Sequence, residues 1–101
     1  MKSITELADL TGRCALISGG AGHIGLAVAE TLIELGGRVA IVDRDPTACR
    51  RRAQMLEGET GGAAMAVPCD LSDELATRNA VREVVRALGG LDILIHCAAW
   101  V

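Results

Sequence analysis

The chain has no tyrosine, no phenylalanine, a single tryptophan (Trp100) and a single lysine (Lys2) among its 101 residues. Its apolar half is therefore almost wholly aliphatic. Runs of Val, Ile, Leu and Ala suit strands buried on both faces of a parallel sheet and covered by helices. Basic charge is scarce too. The net charge is −3, and the one basic run, Arg50, Arg51 and Arg52, reads as a solvated helix face. Nothing marks a nucleic-acid or membrane surface. No apolar run approaches bilayer length. The N-terminus has neither a basic stretch leading into an apolar run nor a cleavage-like site, so no signal peptide is expected. The cysteines Cys14, Cys49, Cys69 and Cys97 form no CxxC pair and no zinc spacing, and no metal site is expected. Most of them sit in or beside apolar strand-like segments, where a free thiol packs as a small hydrophobe. A reducing, cytoplasmic compartment fits best.

What is present is enough for one small domain with a packed core. Residues 1–12 read as a leader with a turn at Thr11-Gly12. Cys14 to Ile17 is a short apolar run bounded by glycine, the pattern of a buried strand. Ile24 to Leu35 carries Ile24, Val28, Leu32 and Leu35 at helical spacing, and Gly36-Gly37 ends it. Val39 to Val42 reads as a second strand. Asp45-Pro46 is an N-cap followed by Pro at the first helical position, opening a helix to about Leu56 with Cys49, Ala53 and Leu56 on one side. Gly58 and Gly61-Gly62 are expected to break it. Met65 to Val67 is a third strand. Ser72 and Asp73 can cap a helix whose Val81, Val84, Val85 and Leu88 follow the helical period until Gly89-Gly90. Leu91 to Cys97 is the fourth strand. The order β-α-β-α-β-α-β predicts an α/β fold, a doubly wound parallel sheet of Rossmann type with strand order 3-2-1-4, occupying residues 13–101. The first two helices would pack on one face and the third on the other. The fourth strand would be an unpaired apolar edge, which favours self-association.

The segment Ser18-Gly-Gly-Ala-Gly-His-Ile-Gly25 falls between the first strand and the first helix, where a phosphate-binding glycine turn must lie. Gly19 would permit the tight turn, Gly22 would let the backbone approach a pyrophosphate, and Gly25 would let the helix pack closely on the sheet. The free N–H groups of the helix would then face the phosphates. Asp43 closes the second strand about 20 residues beyond the glycines, where a carboxylate can accept hydrogen bonds from the adenine ribose. Asp70 follows the third strand, within reach of an adenine edge. Ala98 and Ala99 end the fourth strand and leave room beside it. Together these features predict a dinucleotide site rather than a structural glycine turn.

This stretch resembles the opening of short-chain dehydrogenases/reductases. Their glycine motif reads TGxxxGxG in the shorter branch and TGxxGxxG in the extended, sugar-nucleotide branch. Here Ser18 stands for the Thr, Gly22 and Gly25 fit the second spacing, and His23 and Ile24 fill the turn between them. Cys69-Asp70-Leu71 resembles the family's adenine-contacting Asp-Leu/Val pair. His96-Cys97-Ala98-Ala99 stands where the family has NNAG and is similar to the extended branch's HxAA, whereas the leader is similar to the shorter branch. The resemblance implies binding of a nicotinamide dinucleotide through these residues. A carboxylate at Asp43 favours NAD over NADP, with Arg44 beside it able to pair a 2′-phosphate or stack on the adenine. His23 reads as solvent-facing or backbone-bonded and His96 as a satisfied buried imidazole; neither reads as catalytic.

In this family a Tyr, with a Lys four positions later and an aligning Ser, moves the proton that accompanies hydride transfer. This sequence has no Tyr and only Lys2. The chain is thus expected to be the dinucleotide-binding part of an oxidoreductase acting on an alcohol/carbonyl pair, and inactive alone. The alternatives are a non-catalytic dinucleotide-binding module and part of a sugar-nucleotide epimerase or dehydratase. A Rossmann-type methyltransferase fits the glycine spacing and the HCAA ending poorly.

Overall fold

A computed structural model of the chain describes residues 3, 8–19 and 22–97. Four strands, β1 (Cys14–Ser18), β2 (Arg38–Asp43), β3 (Ala64–Pro68) and β4 (Ile93–His96), alternate with three helices, α1 (His23–Glu34), α2 (Pro46–Thr60) and α3 (Glu74–Leu88). The strands form one parallel sheet in the order β3-β2-β1-β4, as the sequence predicts.

Because successive strand residues point to opposite faces, the sheet sorts its apolar side chains into two cores. Ala15, Ile17, Val39 and Ile41 pack with Ala29 and Ile33 of α1 and with Cys49, Ala53 and Leu56 of α2. Cys14, Leu16, Ala40 and Val42 pack on the other face with Ala80, Val84 and Leu88 of α3. Ile17, Ile41 and Leu56 are fully buried, each contributing about 1.5–3 kcal/mol relative to exposure.

The helices depart from the sequence reading in instructive ways. In α1 the buried residues are Gly25, Ala29 and Ile33, one position round from the expected stripe, and Ile24 is 73% exposed. Gly25, without a side chain, and Ala29, with only a methyl, lie on the inner face with Ile33, and the bulkier Val28 and Leu32 fill in at its margin. Helix α2 runs through Gly58 to Thr60 instead of ending near Leu56. A lone glycine costs a helix only about 1 kcal/mol relative to alanine, too little to break it once Leu56 is buried. The true stop is Gly61 in the left-handed conformation (φ 72°), whose N–H donates to Glu57 O at 2.9 Å. In α3, Val84 and Leu88 are buried but Val81 and Val85 are partly exposed, because the inward stripe of the helix is Ala80, Val84 and Leu88.

Strand β4 is shorter than the expected Leu91–Cys97. Asp92 instead clamps the start of β1: its carboxylate accepts the Cys14 N–H at 2.9 Å, and its own N–H donates to Cys14 O at 2.8 Å. Among the described residues no helix is long and apolar enough to cross a membrane.

Candidate functional site

Parallel pairing aligns the strand ends. Ser18 lies opposite both Val42 and His96, and Asp43 lies opposite Pro68, so the loops that follow gather at one edge of the sheet. In such sheets ligands bind outside the carboxyl ends, where the strand order reverses, here between β1 and β4. A cleft of about 640 Å³ opens at this edge, within the size range of small-molecule sites. Gly19 and Gly22 form its floor beside β1, Asp43 and Arg44 its wall at β2, and Asp70, Leu71 and Ser72 its wall after β3. His96 and Cys97 close it at β4.

The glycine turn owes its shape to Gly19, which has φ 73° and donates its N–H to Val42 O at 2.8 Å. Gly22 follows as the N-cap of α1, its N–H donating to Gly19 O at 3.2 Å. The three helix starts differ. Asp45 caps α2 by accepting the Ala48 N–H at 3.1 Å, and Asp73 caps α3 by accepting the Ala76 N–H at 3.0 Å. At α1 no side chain caps the helix, and its first turn holds no acidic residue. Among the described residues no side chain accepts from the first N–H groups of α1, so its positive end lies beside the cleft uncapped, the arrangement that holds anions.

On the opposite wall Asp70 accepts the Ser72 N–H at 3.0 Å and the Ser72 hydroxyl at 2.7 Å. These bonds, with the nearby charge of Arg44, hold its carboxyl below the usual range. Ser72 thereby shapes this wall rather than sharing the cap of α3. The Asp-x-Ser spacing was its sequence signal. Cys69 and Val42 also line the cleft, as parts of the strand ends.

The structure brings Gly19, Gly22, Asp43, Arg44, Asp70, Leu71 and Cys97 to the cleft. Gly25 is buried where α1 meets the sheet, while His23 and Ile24 are exposed in the first turn. Ala98 and Ala99 lie outside the described residues. Ser18 is 3% exposed and stands behind the cleft, its Oγ in a short hydrogen bond with His96 Nδ1. His96 corrects the sequence reading: it is bonded as expected, but exposed rather than buried. It shares a face of β4 with Leu94, and α3 covers that face incompletely.

Residues 13–101 match the family model described as short chain dehydrogenase. A relative in Thermotoga maritima, an uncharacterized oxidoreductase, is 38% identical over 89% of this chain and 35% of its own length. A short-chain type dehydrogenase/reductase from Mycobacterium marinum superposes with TM-score 0.89 at 34% identity, covering 99% of this chain and 40% of that one. A Pseudomonas aeruginosa RhlG/NADP active-site complex superposes at 0.82 with 38% identity, over 91% and 36% of the two chains. NAD+-bound xylitol dehydrogenase superposes at 0.80 with 34% identity, over 84% and 32%. The chain spans from about a third to just over half of the curated relatives it matches first.

Proposed function

From the chain's membership of the short-chain dehydrogenase family, we propose that residues 13–101 form the dinucleotide-binding half of an oxidoreductase, with residues 1–12 as a leader. The observation that carries the reading is the uncapped start of α1 at the glycine turn, in a molecule that gives both other helices an Asp cap. The pyrophosphate would take the free N–H groups of α1, the adenine ribose the Asp43 carboxylate, and the adenine the Asp70-Leu71 wall. Cys97, Ala98 and Ala99 would border the nicotinamide half, with Ser18 bracing β4 from behind. His23 and Ile24, at the first turn, would flank the phosphates without taking part in chemistry.

The expected preference for NAD rests on Asp43 alone. Arg44 beside it supplies the charge that a 2′-phosphate needs, and the solved relatives hold NAD in one case and NADP in another. Either dinucleotide fits this wall, and the Asp43/Arg44 pair sets the balance between them.

Bound nicotinamide would supply the hydride donor or acceptor for an alcohol/carbonyl pair. The chain itself has no Tyr to move the accompanying proton. It therefore binds without turnover, and the chemistry belongs to a longer protein of this family. Its thiols, unpaired among the described residues, fit a reducing, cytoplasmic setting. Its open β4 edge and half-covered sheet face favour self-association.

The test is calorimetric titration of the folded chain with NADH and NADPH in parallel. Saturable 1:1 binding of at least one supports the reading. A folded sample that binds neither refutes it.

A further inference from the structure

The Ser18–His96 pair has a property that the binding role above does not use. Ser18 and His96 end adjacent strands in register, and the Cys97 N–H donates to Ser18 O at 2.8 Å, so backbone and side chain both fix β4 to β1 here. A serine hydroxyl is both donor and acceptor. It donates to Nδ1 of a neutral imidazole and accepts from the Nδ1–H of an imidazolium. The anchor therefore survives a change of charge, and it leaves Nε2 for other partners.

The ring lines the cleft together with the glycine turn at Gly19 and Gly22. Other ionisable groups line the same cleft. Asp43 and Arg44 stand at the end of β2, and Cys69 and Asp70 after β3; Cys97 is the neighbouring thiol. His23 opens α1 but does not line the cleft, and Thr77 of α3, in the groove behind His96, is uncharged. Among the described lining residues Arg44 is the one permanent cation, and it sits on the adenine side of the proposed pyrophosphate position.

Resting on the reading of this cleft as a dinucleotide site, we propose that His96 is a proton-linked anion ligand, supplying positive charge on the β4 side of the pyrophosphate when protonated. Imidazole is the side chain whose charge changes between about pH 5 and 8. Binding then takes up a proton. The added attraction is present while the ring carries the proton and absent without it.

The experiment is calorimetric titration of the full chain with NAD at about pH 6 and about pH 8, in buffers of differing ionisation enthalpy. NAD is the probe because the 2′-phosphate of NADP itself titrates near this range. Affinity about three- to tenfold tighter at the lower pH is expected, as one charge across a wet cleft would give. Net proton uptake should accompany it, and both should vanish in His96→Asn. Should that variant not fold, the unaltered chain still decides: adding NAD near the lower pH should move the His96 ring resonances toward their protonated positions. Binding with equal affinity and no proton uptake overturns the inference and leaves the dinucleotide reading standing. A pH dependence that persists in His96→Asn and disappears in His23→Asn also overturns it. Failure to bind NAD at either pH, with NADH and NADPH also inert, overturns both.

Discussion

At the scale of single residues, Asp43 and Arg44 stand side by side at the end of β2 and pull in opposite directions on the ribose they would meet. Replacing Asp43 by Ala removes the repulsion of a 2′-phosphate while keeping Arg44. Relative affinity for NADPH over NADH should then rise by about tenfold or more, read from paired titrations. The thiols make a second prediction. Cys49 is fully buried and donates to Ile41 O at 3.1 Å, and burial pushes its thiol above the ordinary 9.0. Its contribution to stability is fully present below that unfolded value and is lost as pH rises from there through the folded one. A thiol reagent at neutral pH should label half-buried Cys97 in the cleft and spare Cys49, with bound dinucleotide shielding Cys97, as mass mapping of the adducts would show. Much of this was legible in the sequence, because Gly19, Asp43 and Asp70 are read from position relative to strand ends. The exposure of His96 was not. Which face of an edge strand is covered depends on how far α3 reaches, and no local pattern encodes that.

Among the elements, the helices divide into two that cap themselves and one that does not. Asp45→Ala and Asp73→Ala should each cost about 1 kcal/mol, lowering the melting temperature by about 4–8 °C in a domain of this size. Gly58→Ala should act the other way. The site is exposed in the last turn of α2, and an added Cβ there meets nothing within 4 Å. A gain of about 0.5–1 kcal/mol is expected in chemical denaturation. These caps were plain in the sequence, since Asp before a helix has one efficient use. Helix ends and facing were less so. The spacing of Ile24, Val28 and Leu32 is a good helical stripe, yet the helix turns Gly25 and Ala29 inward, because smallness at a close contact is invisible to a count of apolar side chains. Likewise Gly58 looked like a stop, when only the left-handed backbone at Gly61 ends α2.

Over the whole molecule, two cores share one sheet but are unequally roofed. Two helices cover the face around Ile17 and Ile41; α3 alone covers the other, leaving Leu94 69% exposed. β4 is an edge strand without proline, lysine or a carboxylate, so its own sequence carries none of the usual guards against pairing. Light scattering after gel filtration should show mass rising with concentration, and Leu94→Lys should return the chain toward monomer. A monomer at all concentrations would show the edge to be inert. The fold class and strand order were legible because alternating periodicities leave few topologies open. The uneven roofing followed from the same count of helices. Parallel strands also impose a direction of travel. The chain enters β1 at Cys14, at the edge away from the cleft, and leaves β4 at His96, at the cleft's mouth. The chain beyond His96 thus departs from the cleft's mouth, while the chain leading into Cys14 arrives at the opposite edge.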